Sequence, residues 1–132
     1  MSQKFRHTIH FSIAEAIETL HTVKPMIQKM RELSKKLLKE GHEIYHMDIS
    51  ADFSSNGHGN ASGKMEMLIH ILKKLISAGI QVKGLEEGLV DFPHIRSNGE
   101  EVYLCYKYGE DSINYWHRID AGFAGRQPIS SI

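Results

Sequence analysis

The stretch His42-Glu43-Ile44-Tyr45-His46 carries H-E-x-x-H spacing. On a helix, two histidines four residues apart share a face, and the glutamate beside them can activate water on a zinc ion. A further ligand must come from elsewhere. Glu66 lies in a later segment of helical period, with His70 one turn beyond it. His42, His46 and Glu66, with His70 near, therefore form one candidate site for zinc or another divalent metal. Against it, the pattern is short, and the 9 histidines of the chain multiply chance matches. Gly41 argues against an unbroken helix at this point. The competing reading is a helix end that frays into a polar loop.

A denser group of chemistry-bearing residues lies in the last third. Side chains alternate along strands. Two-residue turns at Asn98-Gly99 and Glu110-Asp111 put Asp91, Pro93, Leu104, Tyr106, Tyr115 and His117 on one face. Val90, Phe92, His94, Tyr103, Cys105 and Trp116 then share the other. A one-residue slip in either hairpin breaks this grouping. Asp120 and Arg126, set around glycines in "DAGFAGR", extend the polar face. Asp91, Tyr106, Tyr115, His117, Asp120 and Arg126 are thus the candidate ligand-binding residues.

Several chemistries fit this set. Arg126 could clamp a small anionic group. His117 could act as a general base oriented by Asp91 or Asp120, which makes these three the catalytic candidates. His117 with nearby carboxylates could instead hold a metal. The plain alternatives are a core histidine bonded to a carboxylate, and an Arg126 that pins the tail by pairing with Asp91 or Asp120. Cys105 reads as a small buried hydrophobe rather than a nucleophile. An enzyme and a binding module both stay open.

The elements that must position these residues are legible in outline. Ser12 with Glu15 forms a capping box. Apolar residues follow at Ile13, Ile17, Leu20, Val23, Ile27, Met30, Leu33 and Leu37, the helical period. Pro25 either kinks this helix or starts a second one, and Gly41 is its stop. Residues 50–63 read as a Ser/Asn/Gly-rich flexible loop. "KMEMLIHILKKLISAG" is a second helix ending at Gly79. After it come short β-branched and aromatic runs, "LVDFPHI", "EVYLCYKY" and "INYWH". The expected fold is one α+β domain over residues 1–132. A long antiparallel helical hairpin, about 12–79, packs on a small three-stranded antiparallel β-meander with an irregular C-terminal tail, about 84–132.

Composition bounds the partners. Lys plus Arg, 16, equals Asp plus Glu, 16. No bulk charge favours nucleic acid or a membrane surface, and neither is expected. The single cysteine allows no intrachain disulfide, and "MSQKFRHTIHF" has no apolar leader core, so a cytoplasmic protein is expected. The small sheet covers one side of the helices, which leaves a face for a second copy and suggests a homodimer.

The motifs "GLVDFP", "EVYLC", "YWH" and "DAGFAGRQP", in that order with short spacers, resemble the prokaryotic domain-of-unknown-function family 2203. "HFSIAEAIETLHTVKPMI" resembles that family's opening helix, with Ile17 where the family has asparagine and Tyr106 where it has tryptophan. The likeness covers most of the chain outside residues 40–63. It implies a whole family member and carries no established activity. "HEIYH" falls outside the matching motifs.

Overall fold

The computed structural model describes residues 4–45 and 62–132. His46 and the stretch 50–61 of the expected loop lie outside the described residues.

Helix α1 spans Ile13–Lys39. The Ser12 hydroxyl accepts from the Glu15 amide at 3.0 Å, and the Glu15 carboxylate accepts from the Ser12 amide at 2.8 Å, so the capping box is complete. Pro25 lies inside the helix without splitting it. It sits on the exposed side, where water can serve the carbonyl that loses its amide partner. At the far end Gly41 takes φ +86°. Its amide donates to Leu38 O at 3.0 Å, and the His42 amide donates to Leu37 O at 2.9 Å. This Schellman closure ends the helix before His42.

Helix α2 spans Ser62–Ser77 and packs against α1. It starts two residues earlier than its apolar pattern implied. The same Schellman closure ends it at Gly79, φ +93°, through Gly79 N to Ile76 O at 2.9 Å and Ile80 N to Leu75 O at 3.0 Å.

The sheet has five strands rather than three. They are β1 (Gln81–Gly84), β2 (Leu89–Ile95), β3 (Glu101–Lys107), β4 (Tyr115–Arg118) and β5 (Gln127–Pro128), in that spatial order, each antiparallel to its neighbour. β1 was hidden by its brevity. β5 replaces the expected irregular tail. It is held by the Ile129 amide to Asn114 O at 2.9 Å and by Trp116 Nε1 to Ser131 Oγ at 3.0 Å.

Both register expectations are off by one residue, and both errors fall on β3. Asp91 pairs with Cys105 and His94 with Val102, while Cys105 pairs with Tyr115 and Tyr103 with His117. In the first hairpin, Gly99 N donates to Arg96 O and Arg96 N donates to Glu100 O, both at 2.8 Å. Gly99 has φ +91°. This is a three-residue loop with a left-handed glycine, not the two-residue turn expected at Asn98-Gly99. In the second hairpin the chain turns at Lys107–Glu110, with Gly109 at φ +105°, and reaches β4 through buried Ile113.

One face of the sheet therefore presents Val90, Phe92, Val102, Leu104, Tyr106 and Trp116 to the apolar faces of α1 and α2, including Leu20, Ile27, Met30, Leu72 and Leu75. Burying side chains of this size stabilises by about 1.5–3 kcal/mol each. Phe11, just before α1, meets Phe92 edge-on at 5.2 Å. The other face presents Asp91, Tyr103, Cys105, Tyr115 and His117, which follows from the alternation of side chains. Among the described residues no helix is long and apolar enough to cross a membrane.

Candidate metal centre on the outer sheet face

Three neighbouring strands deliver three buried side chains to one point. Asp91 (2 % exposed) comes from β2, Cys105 (1 %) from β3 and His117 (2 %) from β4. One ligand-capable atom from each lies within 4.8 Å of the other two. His117 Nδ1 donates to the Arg118 carbonyl at 2.7 Å. His117 Nε2 lies 3.1 Å from both carboxylate oxygens of Asp91.

This geometry fixes the imidazole's roles. With Nδ1–H committed to a carbonyl, Nε2 of a neutral ring would be a lone pair facing a carboxylate. Two acceptors in contact need a cation between them, either a proton or a metal ion. In the metal-free state the proton fills that role. Burial pulls the His117 pKa down, but the Asp91 carboxylate and the Arg118 carbonyl outweigh it, and the net shift is upward. Burial, helped by the Asp91 charge, pushes the Cys105 thiol up. The thiol is thus a protonated neighbour of the pair, not an activated thiolate.

A cleft of about 110 Å³ opens on the cluster, walled by Leu89, Ile119, Gly122 and Phe123, with Lys83 and Tyr103 beside the three polar groups. Lys83 Nζ sits 4.7 Å from the centre of the Tyr103 ring. The Tyr103 ring lies 5.5 Å from that of His117, and its hydroxyl shares a 2.6 Å hydrogen bond with His7 Nε2. The segment before α1 crosses this side of the sheet, held by Glu101. That carboxylate accepts from the amides of Arg6 at 2.8 Å and His7 at 3.0 Å, and from His10 Nε2 at 2.7 Å.

The residues singled out from sequence divide into groups. Asp91 and His117 meet, and Tyr115 shares their face. Tyr106 does not join them, because the shifted register turns it into the core under the helices. Asp120 is exposed in the turn after β4. Arg126 stacks on the rings of Tyr115 at 3.9 Å and Phe123 at 4.6 Å, and pairs with Glu110 rather than with Asp91 or Asp120. It pins the tail, though to a different partner than expected. Both nitrogens of His117 are engaged, so the metal-free ring offers no free lone pair for base catalysis.

The H-E-x-x-H reading loses its premise. His42 and Glu43 lie past the end of α1, so helical spacing does not apply there. Among the described residues His42, Glu66 and His70 form no ligand cluster. His46 is outside the described residues.

Cys105, Tyr103 and Lys83 are the members that sequence reasoning did not place. In "EVYLCYK" the set Val102, Leu104 and Tyr106 is wholly apolar or aromatic, whereas Tyr103 and Cys105 share their side with Glu101 and Lys107, so the charged strand ends are a signal for β3's inner face that sequence reasoning did not use. The parity of the hairpin loops sets that face.

The model of a family described as an uncharacterized conserved protein, DUF2203, matches residues 10–129. No curated protein and no solved structure matches the chain.

Proposed function

The chain belongs to the DUF2203 family, and we propose that it is a metal-binding protein whose ligands are Asp91, Cys105 and His117. The observation that carries this is the orientation of His117. Its Nδ1–H is spent on the Arg118 carbonyl, and its Nε2 faces the Asp91 carboxylate. Metal-bound histidines characteristically anchor their second nitrogen in this way, which fixes the ring and the tautomer. The mixed nitrogen, oxygen and sulfur set suits zinc.

Three protein ligands leave one coordination position for water or a small anionic ligand from the cleft. Lys83, at the cleft wall, supplies a positive charge to such a ligand. Metal binding must displace the Cys105 proton, so affinity should rise with pH. A free thiol among the ligands fits a cytoplasmic protein.

Cobalt(II) substitution tests the reading. A bound thiolate gives a near-ultraviolet charge-transfer band, and a four-coordinate site gives intense visible bands. One equivalent of cobalt with both features is expected in the wild type. Cys105→Ser should lose the charge-transfer band, and His117→Ala should lose the metal. Failure of the wild type to hold cobalt or zinc stoichiometrically, or metal that survives both substitutions, overturns the proposal.

A further inference from the structure

A second cleft lies against the opposite face of the sheet, where α1 passes the turn after β3. It has a volume of about 240 Å³ and is lined by Lys24, Tyr106, Tyr108, Gly109 and Glu110. It shares no residue with the Asp91 cluster and does not rest on the metal reading.

The donors here lack acceptors. Tyr106 is 0 % exposed, and its hydroxyl meets the Gly109 amide but no acceptor, so its own O–H is left without one. A buried hydroxyl whose donor is left unpaired is costly. Arg31 Nε, two helical turns after Lys24, is also buried without a partner. Lys24 Nζ sits 5.8 Å from the centre of the Tyr106 ring.

The arginine is also held in place. The Arg31 guanidinium lies 4.5 Å from the centre of the Tyr108 ring. Gly88 makes room for it: a Cβ there would stand 2.7 Å from Arg31 Cδ and 2.6 Å from Tyr108 Cβ. The one carboxylate lining the cleft, Glu110, is committed elsewhere. It pairs with Arg126 and accepts from the Lys107 amide at 2.7 Å.

We infer that this cleft is a binding site for a small oxyanion, a phosphate or carboxylate group, held by the Tyr106 hydroxyl and the Lys24 ammonium with Arg31 behind them. The occupant must be a strong acceptor, because the uncommitted polar groups are donors. It must carry negative charge, because Lys24 lines the cleft and the Arg31 guanidinium stands next to it over the Tyr108 ring.

Titration calorimetry of the full chain with inorganic phosphate and with succinate, at constant ionic strength, tests this. One equivalent of either anion should bind. Phosphate without succinate identifies a phosphate-bearing ligand, and the reverse identifies a carboxylate. Tyr106→Phe, which keeps the packed ring, should weaken binding about tenfold or more, the loss expected for one hydrogen bond to a charged group. Lys24→Gln should weaken it similarly. The ligand-free Tyr106→Phe protein should melt no lower than wild type, since an unpaired hydroxyl is removed. Absence of binding by both anions overturns the inference. So does binding that Tyr106→Phe leaves unchanged, which would place the anion on the outer helix surface.

Discussion

His117 holds Nε2 at 3.1 Å from both carboxylate oxygens of Asp91, across a strand that separates them in the sheet. The pair is buried, and its second nitrogen is spent on a backbone carbonyl. A buried pair of this kind depends on the cation between its members, since removing one partner leaves an uncompensated charge.

Zinc should therefore stabilise the fold. A ligand present at a hundred times its Kd adds about 2.7 kcal/mol when it binds only the native state. Calorimetric melting with zinc, then with a chelator, should show the Tm rise and fall. Asp91→Asn should abolish the zinc-dependent part. A chelator-insensitive Tm in the zinc-treated wild type would argue against the site.

The segment before α1 should loosen in acid. Burial pushes the Glu101 pKa up, but hydrogen bonds from His10 and from the Arg6 and His7 amides outweigh it, and the net shift is downward. A carboxylate held below its unfolded value contributes stability that is fully present above that value. The contribution is lost as pH falls through the folded pKa. His7, whose own pKa is lowered chiefly by burial, gains charge in the same direction of pH, with Lys83 nearby. Hydrogen exchange of the Arg6 and His7 amides should accelerate below the usual carboxylate range, relative to the intrinsic rate. Glu101→Gln should produce the same opening at neutral pH and cost about 1.5–3 kcal/mol.

Arg126→Ala should destabilise the protein. It removes the Glu110 pair and two ring contacts from a guanidinium that is mostly buried. A loss of about 1–3 kcal/mol is expected in urea unfolding, with Tm lower by roughly 5–10 °C. An unchanged midpoint would mean that the tail is held by its strand pairing and by Trp116 alone.

The two helix-ending glycines should respond differently to alanine. Gly41 and Gly79 both have positive φ. A Cβ at Gly41 meets nothing within 4 Å, whereas one at Gly79 would stand 2.5 Å from Ile9 Cγ2. Gly41→Ala should cost only the backbone strain, about 1–2 kcal/mol. Gly79→Ala should cost more, because the segment carrying Ile9 must also move. Equal losses in denaturant titrations would show that this segment yields freely.

The sequence by itself determined the local elements. The Ser12/Glu15 capping box, the spacing of Leu20, Val23, Ile27 and Met30, and the glycine stops at 41 and 79 act over a few residues. They define α1 and most of α2. Asp91, Tyr115 and His117 were also legible as neighbours, for an instructive reason. The two register errors both fall on β3, between β2 and β4, so they cancel for the flanking strands and invert only the middle one.

Only the tertiary structure decided what β3 contributes. Tyr103, Cys105, Leu104 and Tyr106 are all suited to burial, and in composition only the strand-end charges Glu101 and Lys107 tell the two parities apart. Loop closures settled it, through Arg96 with Glu100 and the turn at Lys107–Glu110. A strand has period two, so one residue of loop length exchanged a phenol for a thiol beside Asp91 and His117. Loop geometry also decided where α1 stops: a left-handed Gly41 ends it before His42, so helical spacing does not extend from α1 into His42 and Glu43.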